Sequence, residues 1–355
     1  MKKKMKLILQ MLVAGILFIP SVAFAGNEDR AGQAGATELL INPWGRSSGW
    51  GGANNANVRG LEAQFLNVAG TAFTKKTELQ FSRTLWIADI KINSFGFTQR
   101  VGATGVLGLG IMSMDFGDIP ITTVDLPEGG IGTYSPQFIN LGLSYAKAFS
   151  DNIYGGINVK AVSESISNVS AKGIALDAGI QYVTGKYDNI HFGISLKNVG
   201  PRMRFRGDGL SFRGTIPSTG VTMTVEQRSA DFELPSLVNI GGAYDFFLPN
   251  DSSAQKTHRI TIAGNFTSNS FSKDQFSFGV EYGFKSFLMV RVGYIYEKGI
   301  SKDDERTTCF TGPNAGFTVE IPMNKAKGST FGVDFAYRAT QPFNGVLYIG
   351  ARMNL

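Results

Sequence analysis

The C-terminal segment Val346–Leu355 alternates strictly between two chemically different faces. The apolar face carries Leu347, Ile349, Ala351, Met353 and Leu355, and the opposite face carries Tyr348, Gly350, Arg352 and Asn354. Because successive strand residues point to opposite sides, the segment is predicted to be a strand with one lipid-compatible side and one wet side. A terminal strand of this kind is typical of a transmembrane β-barrel, in which the last strand closes the cylinder.

The N-terminal residues predict export. Met1–Lys6 is basic, Leu7–Ile19 is apolar, and Ala23–Ala25 has a small residue on each side of Phe. These are the three parts of a secretory signal peptide, so we predict that residues 1–25 are a cleaved signal peptide. The apolar run is too short for a stable helical span, and Pro20 interrupts it.

Composition excludes nucleic acid as a partner and favours a barrel. The 34 Lys and Arg residues and 28 Asp and Glu residues give a net charge of +6, and removing the four lysines of the leader leaves +2. A mature chain this close to neutrality has no electrostatic footprint for nucleic acid. Charged residues make up only 17%, whereas there are 44 glycines and 12% aromatic residues. No later apolar stretch is long enough for a transmembrane helix. A secreted all-β sandwich is the main alternative.

Short alternating segments separated by turn residues fill residues 77–355. They predict an all-β fold, a transmembrane antiparallel β-barrel of about 14 strands, and an even number is usual in single-chain bacterial barrels. The connections Met114–Gln137, Val199–Pro235 and Lys298–Ala315 are long and fall on one side, which we expect to be extracellular. The predicted strands are Glu78–Leu85, Asp89–Val101, Gly105–Ser113, Phe138–Phe149, Ile153–Ser163, Lys172–Val183, Asn189–Asn198, Ser236–Phe247, His258–Thr267, Asp274–Phe284, Phe287–Glu297, Gly316–Ile321, Thr330–Thr340 and Val346–Leu355.

Residues 26–76 do not alternate and are rich in Gly, Ala and Asn. Small residues let irregular backbone lie against the inner wall of a wide barrel, so we predict a periplasmic or plug (hatch) segment here. A flexible periplasmic tail is the alternative, but such tails are poor in large apolar residues, and this segment has several. The predicted plug residues are Trp44, Arg46, Gly49, Trp50, Gly51, Gly52, Asn67 and Gly70.

Two motifs in this segment carry a family resemblance. Gly45–Ala53 reads Gly-Arg-Ser-Ser-Gly-Trp-Gly-Gly-Ala, and Asn67–Ala72 reads Asn-Val-Ala-Gly-Thr-Ala. They resemble the Ala-Arg-x-x-Gly-x-Gly-Gly-Ala and Asn-Pro-Ala-Gly-Leu-Ala motifs of the PorV/PorQ family of the type IX secretion system, which is itself similar to the FadL fatty-acid channel. Trp50 replaces the usual Met and Val68 the usual Pro, which indicates a divergent branch. The resemblance implies a fourteen-stranded barrel whose N-terminal segment folds inward.

The sequence offers no catalytic constellation. His191, His258 and Cys309 are its only His and Cys residues, too few and too dispersed for a recognisable metal or nucleophile site. We therefore predict no enzyme, no catalytic residue, no metal and no cofactor. The resemblance implies a non-enzymatic component of type IX protein secretion in the Gram-negative outer membrane. The alternatives are a FadL-like channel for uptake of hydrophobic small molecules and a purely structural outer-membrane protein.

A basic and aromatic stretch in the second long connection is the candidate binding loop. Arg and aromatic residues dominate the energetic anchors of interfaces, so this loop would bind other outer-membrane secretion-system subunits or secreted cargo. An equal alternative is an Arg-rich rim that faces outer-membrane lipid, namely the phosphates of lipopolysaccharide. The candidate residues are Arg202, Arg204, Phe205, Arg206, Phe212 and Arg213.

Overall fold

The computed structural model describes residues 28–248, 257–324 and 328–355. Within these residues, fourteen antiparallel strands close into one barrel, which confirms the predicted fold class and strand number. The predicted signal peptide, residues 1–25, lies outside the described residues. No helix in the described ranges is both long enough and apolar enough to cross a membrane.

The strands are numbered in chain order, and the described residues also contain short helices. The barrel strands are β1 (Thr77–Leu85), β2 (Lys91–Val101), β3 (Gly105–Asp115), β6 (Gln137–Ala148), β7 (Ile153–Ile166), β8 (Val169–Thr184), β9 (Ile190–Val199), β12 (Leu237–Leu248), β13 (His258–Asn269), β14 (Gln275–Phe284), β15 (Leu288–Glu297), β16 (Phe310–Asn324), β17 (Ser329–Thr340) and β18 (Val346–Asn354). Two loop hairpins comprise β4 (Ile119–Pro120) with β5 (Thr133–Tyr134) and β10 (Ser211–Thr215) with β11 (Thr222–Glu226). The helices are α1 (Gly45–Gly49), α2 (Ala63–Leu66) and the 3-10 turns Glu28–Arg30, Thr37–Leu40, Ala53–Ala56, Val68–Phe73, Ile87–Asp89 and Asp208–Leu210.

The first and last strands close the barrel. β18 pairs with β1 in an antiparallel register that places Leu347 opposite Leu85 and Asn354 opposite Glu78. Arg352 points inward with 3% of its surface exposed, whereas Ile349 points outward with 51% exposed. The long connections after β3, β9 and β15 emerge at the same end of the barrel, which we take as the extracellular end.

The barrel wall is apolar outside and polar inside. In β6, Leu141 and Leu143 are exposed on the outer face, while Asn140 and Ser144 are buried on the inner one. This alternation follows from the period of two in side-chain direction along a strand. A continuous apolar exterior with a polar interior is the surface of a transmembrane barrel.

The largest difference between a predicted and an observed strand boundary is at the start of β16, and two hairpins were not predicted. β16 starts at Phe310, well before the predicted Gly316. Its register against β17 shifts between Phe310 and Asn314, where Gly312 has a φ of 108°, so the alternation is interrupted there. The hairpins β4–β5 and β10–β11 lie in predicted loops, and their largely exposed strands bury no single face that would give an alternating pattern.

The N-terminal segment (residues 28–76) packs against the inner wall of the barrel. α1 contacts β15 to β18, and the turn Val68–Phe73 contacts β3 and β6 to β8 on the other side. Asn67 Nδ2 donates to the carbonyl oxygens of Ile180 on β8 and Ile194 on β9, at 3.2 Å and 3.4 Å. Small and amide side chains therefore join the irregular backbone of this segment to the wall, as barrel interiors require.

A valine at Gly49 should destabilise the folded protein, because Gly49 lies against the wall. A Cβ on Gly49 would lie 3.1 Å from the Gly316 Cα and 3.2 Å from the Arg291 Cδ. We expect Gly49→Val to lower the free energy of unfolding by about 1–3 kcal/mol, the usual cost of overpacking. Urea unfolding of the protein in lipid vesicles measures this difference.

Gly242→Val is the matched control for this substitution. Gly242 lies in β12, and its nearest neighbouring atom would be 3.8 Å from an added Cβ. We expect the control to unfold at the urea concentration of the unmodified protein. Equal destabilisation by both valines would contradict the close packing of Gly49 against β16.

Candidate functional site

A cavity of about 500 Å³ opens into the barrel interior on the extracellular side of the N-terminal segment, and we name it the vestibule. Its two sides differ in chemistry. One side is apolar and consists mainly of Leu40, Ile41, Trp86, Met114, Phe138 and Phe310. The opposite side is polar and includes Asn239, Asn265, Thr267, Asn269, Gln275 and Ser277.

The apolar wall forms because the inward positions of three neighbouring strands become apolar near their extracellular ends. Ile92 of β2 and Met112 and Met114 of β3 are buried together, whereas Thr98, further down β2, is polar. Phe138 of β6 packs on Phe116 with the ring centroids 4.9 Å apart and the rings nearly perpendicular. This arrangement is favourable for aromatic pairs and fixes the ring that faces the vestibule.

The polar wall is a hydrogen-bonded ladder of side chains on β9, β12 and β13. Thr267 Oγ1 and Asn265 Nδ2 both donate to Asn239 Oδ1, at 2.7 Å and 3.1 Å. Asn239 Nδ2 donates to Ser195 Oγ at 3.2 Å, and Ser195 Oγ donates to the Leu66 carbonyl oxygen at 3.1 Å. Because each group is held by its neighbours, the wall presents a fixed polar surface and is joined to the N-terminal segment.

A β-bulge in β9 shapes the floor of the vestibule. Lys197 and Asn198 together oppose the single residue Asp177 of β8, so both point inward, and Asn198 has a φ of 60°. The Lys197 Nζ lies 3.7 Å from the ring centroid of Phe65 in the N-terminal segment. This cation–π contact holds the Phe65 ring at the floor of the vestibule.

The other groups at the bulge form a buried ionic cluster. Lys160 Nζ lies 2.7 Å from Asp177 Oδ1 and also contacts Asn198 Oδ1. The Asn198 backbone N–H donates to Asp177 Oδ1 at 2.8 Å. Asp177 therefore neutralises Lys160 and fixes the bulged backbone, which keeps Lys197 turned toward Phe65.

A smaller cavity of about 60 Å³ lies beyond the floor, and we name it the inner pocket. Leu39, Pro43, Trp44 and Met112 provide apolar surface, and Lys160 lies at its edge. The vestibule and the inner pocket share Glu38 and Phe65 among their lining residues. These two side chains of the N-terminal segment therefore separate the cavities.

The predicted plug residues all lie in the N-terminal segment inside the barrel. Trp44 lines the inner pocket, and Gly51 and Gly52 line the vestibule. Arg46 lines two polar pockets on the other side of the segment, of about 60 Å³ and about 420 Å³. The remaining members of the set are buried, namely Gly49, Trp50, Asn67 and Gly70.

The structure divides the predicted loop residues into separate groups. Phe205 points inward and packs on Phe232 with the ring centroids 5.7 Å apart. Phe212 and Arg213 are exposed on the hairpin strand β10. The other three residues, Arg202, Arg204 and Arg206, line a separate surface pocket.

The residues that line the vestibule and the inner pocket could not be recognised as a site from the sequence. Phe65 stands out only as a large apolar residue, and Glu38 and Lys197 carry no motif. One sequence signal could have indicated the vestibule. The inward positions at the ends of β2, β3 and β6 are apolar, whereas the inward positions of a barrel with a polar lumen are expected to be polar. In the described ranges, no group of three or more His, Cys, Asp or Glu side chains is placed to hold a metal ion.

No protein-family model and no curated protein matches the chain. Among solved structures, it is similar to the Pseudomonas putida toluene transporter TodX, with a TM-score of 0.52 and 13% identity over 88% of this chain and 97% of that chain. The Ralstonia pickettii toluene transporter TbuX gives 0.50 and 12%, and the monoaromatic hydrocarbon channel CymD gives 0.52 and 12%, with the same coverage. None of these comparisons confirms the PorV/PorQ resemblance. The chain therefore shares the overall barrel fold of these three solved structures.

Proposed function

We propose that the protein is an outer-membrane channel that takes up a hydrophobic or amphipathic small molecule. The observation that carries this proposal is the vestibule with its apolar wall facing a polar one. Small-molecule sites are concave, mainly apolar and supplied with a few fixed polar groups. An apolar ligand would lie on Met114 and Phe138, while the side chains near Asn239 would solvate a polar end of the ligand or retain water.

The proposed path runs from the vestibule to the inner pocket. Phe65 and Glu38 line both cavities, so a ligand must displace the Phe65 ring or pass beside it. We propose that the N-terminal segment acts as the plug of this channel and that Phe65, held by Lys197, is its movable part. Aromatic ring rotation is a small movement compared with release of the whole segment, which the hydrogen bonds of Asn67 oppose.

The comparisons favour this function over the predicted role in type IX secretion. The similar structures are described as toluene transporters and as a monoaromatic hydrocarbon channel. For the secretion role, the exposed Phe212 and Arg213 would be the docking surface. Recovery of secretion-system subunits with the solubilised protein, lost on deletion of hairpin β10–β11, would support that role instead.

Ligand binding tests the proposed channel function. The chain has three Trp residues, and Trp86 lines the vestibule, so binding should change the tryptophan emission of the protein in lipid nanodiscs. We expect saturable binding of toluene or of a medium-chain alcohol. Phe138→Ala should weaken it by roughly tenfold, because a ligand-facing aromatic surface is removed.

Phe212→Ala is the matched control, because Phe212 is an exposed phenylalanine away from the vestibule. We expect it to bind as the unmodified protein does. A purely structural barrel would give no saturable signal with any of these ligands. That result, or equal weakening by both alanine substitutions, would refute the channel proposal.

A further inference from the structure

The barrel wall continues above β9 into the long extracellular connection. Arg206 exchanges two backbone hydrogen bonds with Ser170 of β8, at 2.8 Å and 2.9 Å. Met203 exchanges two with Phe232, both at 2.9 Å. Residues 203–206 therefore run beside the upper end of β8, and residues 231–233 pair with them through Phe232.

Side chains in this extension alternate as they do in the barrel. Met203 and Phe205 pack inward against an apolar cluster that includes Ala171 of β8. The intervening residues Arg204 and Arg206 therefore project from the outer face, on the same side as Lys172, which is an exposed neighbour of Ala171. Because of this alternation, Arg204 and Arg206 lie on the membrane-facing side of the extension.

These side chains form a surface pocket of about 490 Å³ with an excess of positive charge. Four cationic side chains and the single carboxylate of Asp231 line it. Arg202 is paired with Glu233 at 2.8 Å, and Arg204 lies 3.8 Å from Asp231. Within the described parts of the chain, Lys172 and Arg206 make no ion pair. The lining residues are Ser170, Lys172, Arg202, Arg204, Arg206 and Asp231.

The pocket begins where the lipid-facing apolar surface ends. Ile174 and Leu176, the next outward positions of β8 below Lys172, are 58% and 43% exposed. Val199, at the top of β9, is also exposed and apolar. The cationic groups therefore lie at the level of lipid headgroups at the extracellular end, where the phosphates of an outer leaflet would be.

We propose that this basic pocket binds phosphate groups of lipopolysaccharide in the outer leaflet, an inference that rests on the outer-membrane location of the proposed function. The guanidinium groups of Arg204 and Arg206 supply paired N–H donors that match phosphate oxygens, and Lys172 supplies a further cation. The position of the cationic side chains favours a lipid phosphate over an acidic protein as the ligand, because these side chains face the edge of the bilayer and not the top of the loop.

The test is binding of labelled lipopolysaccharide to the full-length protein in phosphatidylcholine nanodiscs. The triple variant Lys172→Gln, Arg204→Gln and Arg206→Gln should weaken binding by roughly tenfold to a hundredfold. The control triple Lys147→Gln, Lys186→Gln and Lys285→Gln removes the same charge at the opposite rim, where all three lysines are exposed. We expect the control to bind lipopolysaccharide normally.

Three results would overturn the proposal. They are equal weakening by both triple variants, undiminished binding of dephosphorylated lipopolysaccharide, and complete displacement of the lipid by low concentrations of inorganic phosphate. Migration of the unboiled variants on a gel establishes that they are folded. Toluene binding by the basic-pocket triple variant should remain unchanged, so a failure of this inference is distinguishable from a failure of the proposed channel function.

Discussion

Replacing Arg352 by Leu should lower the free energy of unfolding of the barrel by about 3–5 kcal/mol, the usual cost of breaking a buried charge network by removing one partner. Arg352 on β18 lies 2.9 Å from a carboxylate oxygen of Glu320 on β16 and 3.5 Å from one of Glu62 in the N-terminal segment. The substitution leaves the Glu62 carboxylate buried, with the Ser47 backbone and hydroxyl groups as its hydrogen-bond donors and Arg46 as a nearby cation. The Arg352 guanidinium thus joins the closing strand β18 to strand β16 and to the N-terminal segment.

Urea unfolding in lipid vesicles measures the loss, and Arg83→Leu is the matched control. Arg83 lies on β1, the strand that pairs with β18, but its side chain is exposed on the outer face. A leucine there suits the lipid-facing surface, so we expect no destabilisation. An Arg352→Leu protein as stable as the control would show that the inward ion pairs contribute nothing to barrel closure.

The barrel itself could be predicted from the sequence because one physical rule repeats along the chain. Each strand has one face in lipid and one in a polar interior, so Leu141 and Asn140 in β6 report opposite sides without any tertiary information. The same rule fails where a β-bulge adds an extra residue to a strand. In β9, simple alternation places Asn198 outward, whereas the bulge turns it inward beside Lys197.

The candidate site could not be predicted from the sequence because distant elements build it. Phe65 and Lys197 touch only after the N-terminal segment enters the barrel, and nothing in their sequence separation indicates the contact. The basic loop could be predicted in part. Its composition predicts Arg204 and Arg206 as candidate recognition residues, but only the pairing with Ser170 shows that they project from the outer face while Phe205 packs inward.

Raising the pH should loosen the turn Thr37–Leu40, which borders both cavities. Glu38 in this turn is 2% exposed, and neither carboxyl oxygen accepts a hydrogen bond from the groups that the structure describes. Burial, and then the nearby Glu164 carboxylate, raise the pKa of Glu38 from 4.5 to about 8. Near neutral pH the Glu38 carboxyl is therefore protonated and can share its proton with Glu164.

The sign of the pH effect follows from the raised pKa. The folded protein holds the Glu38 proton more tightly than the unfolded chain, so this contribution to stability is complete below a pH of 4.5 and is lost as the pH rises through about 8. Each tenfold increase in proton affinity on folding is worth about 1.4 kcal/mol, so the contribution reaches several kcal/mol. Above this range, two buried carboxylates repel each other and the turn separates from β7.

Hydrogen exchange of the Leu39 and Leu40 amides at about pH 6 and about pH 9, corrected for the intrinsic rate, measures this loosening. We expect protection to fall at the higher pH in the unmodified protein. Glu38→Gln should keep its protection at both pH values, because the amide carries no charge and can still donate to Glu164. Glu128→Gln, in an exposed loop, should respond to pH as the unmodified protein does. If Glu38→Gln loses protection as much as the control does, the Glu38–Glu164 pair does not hold the turn between the vestibule and the inner pocket.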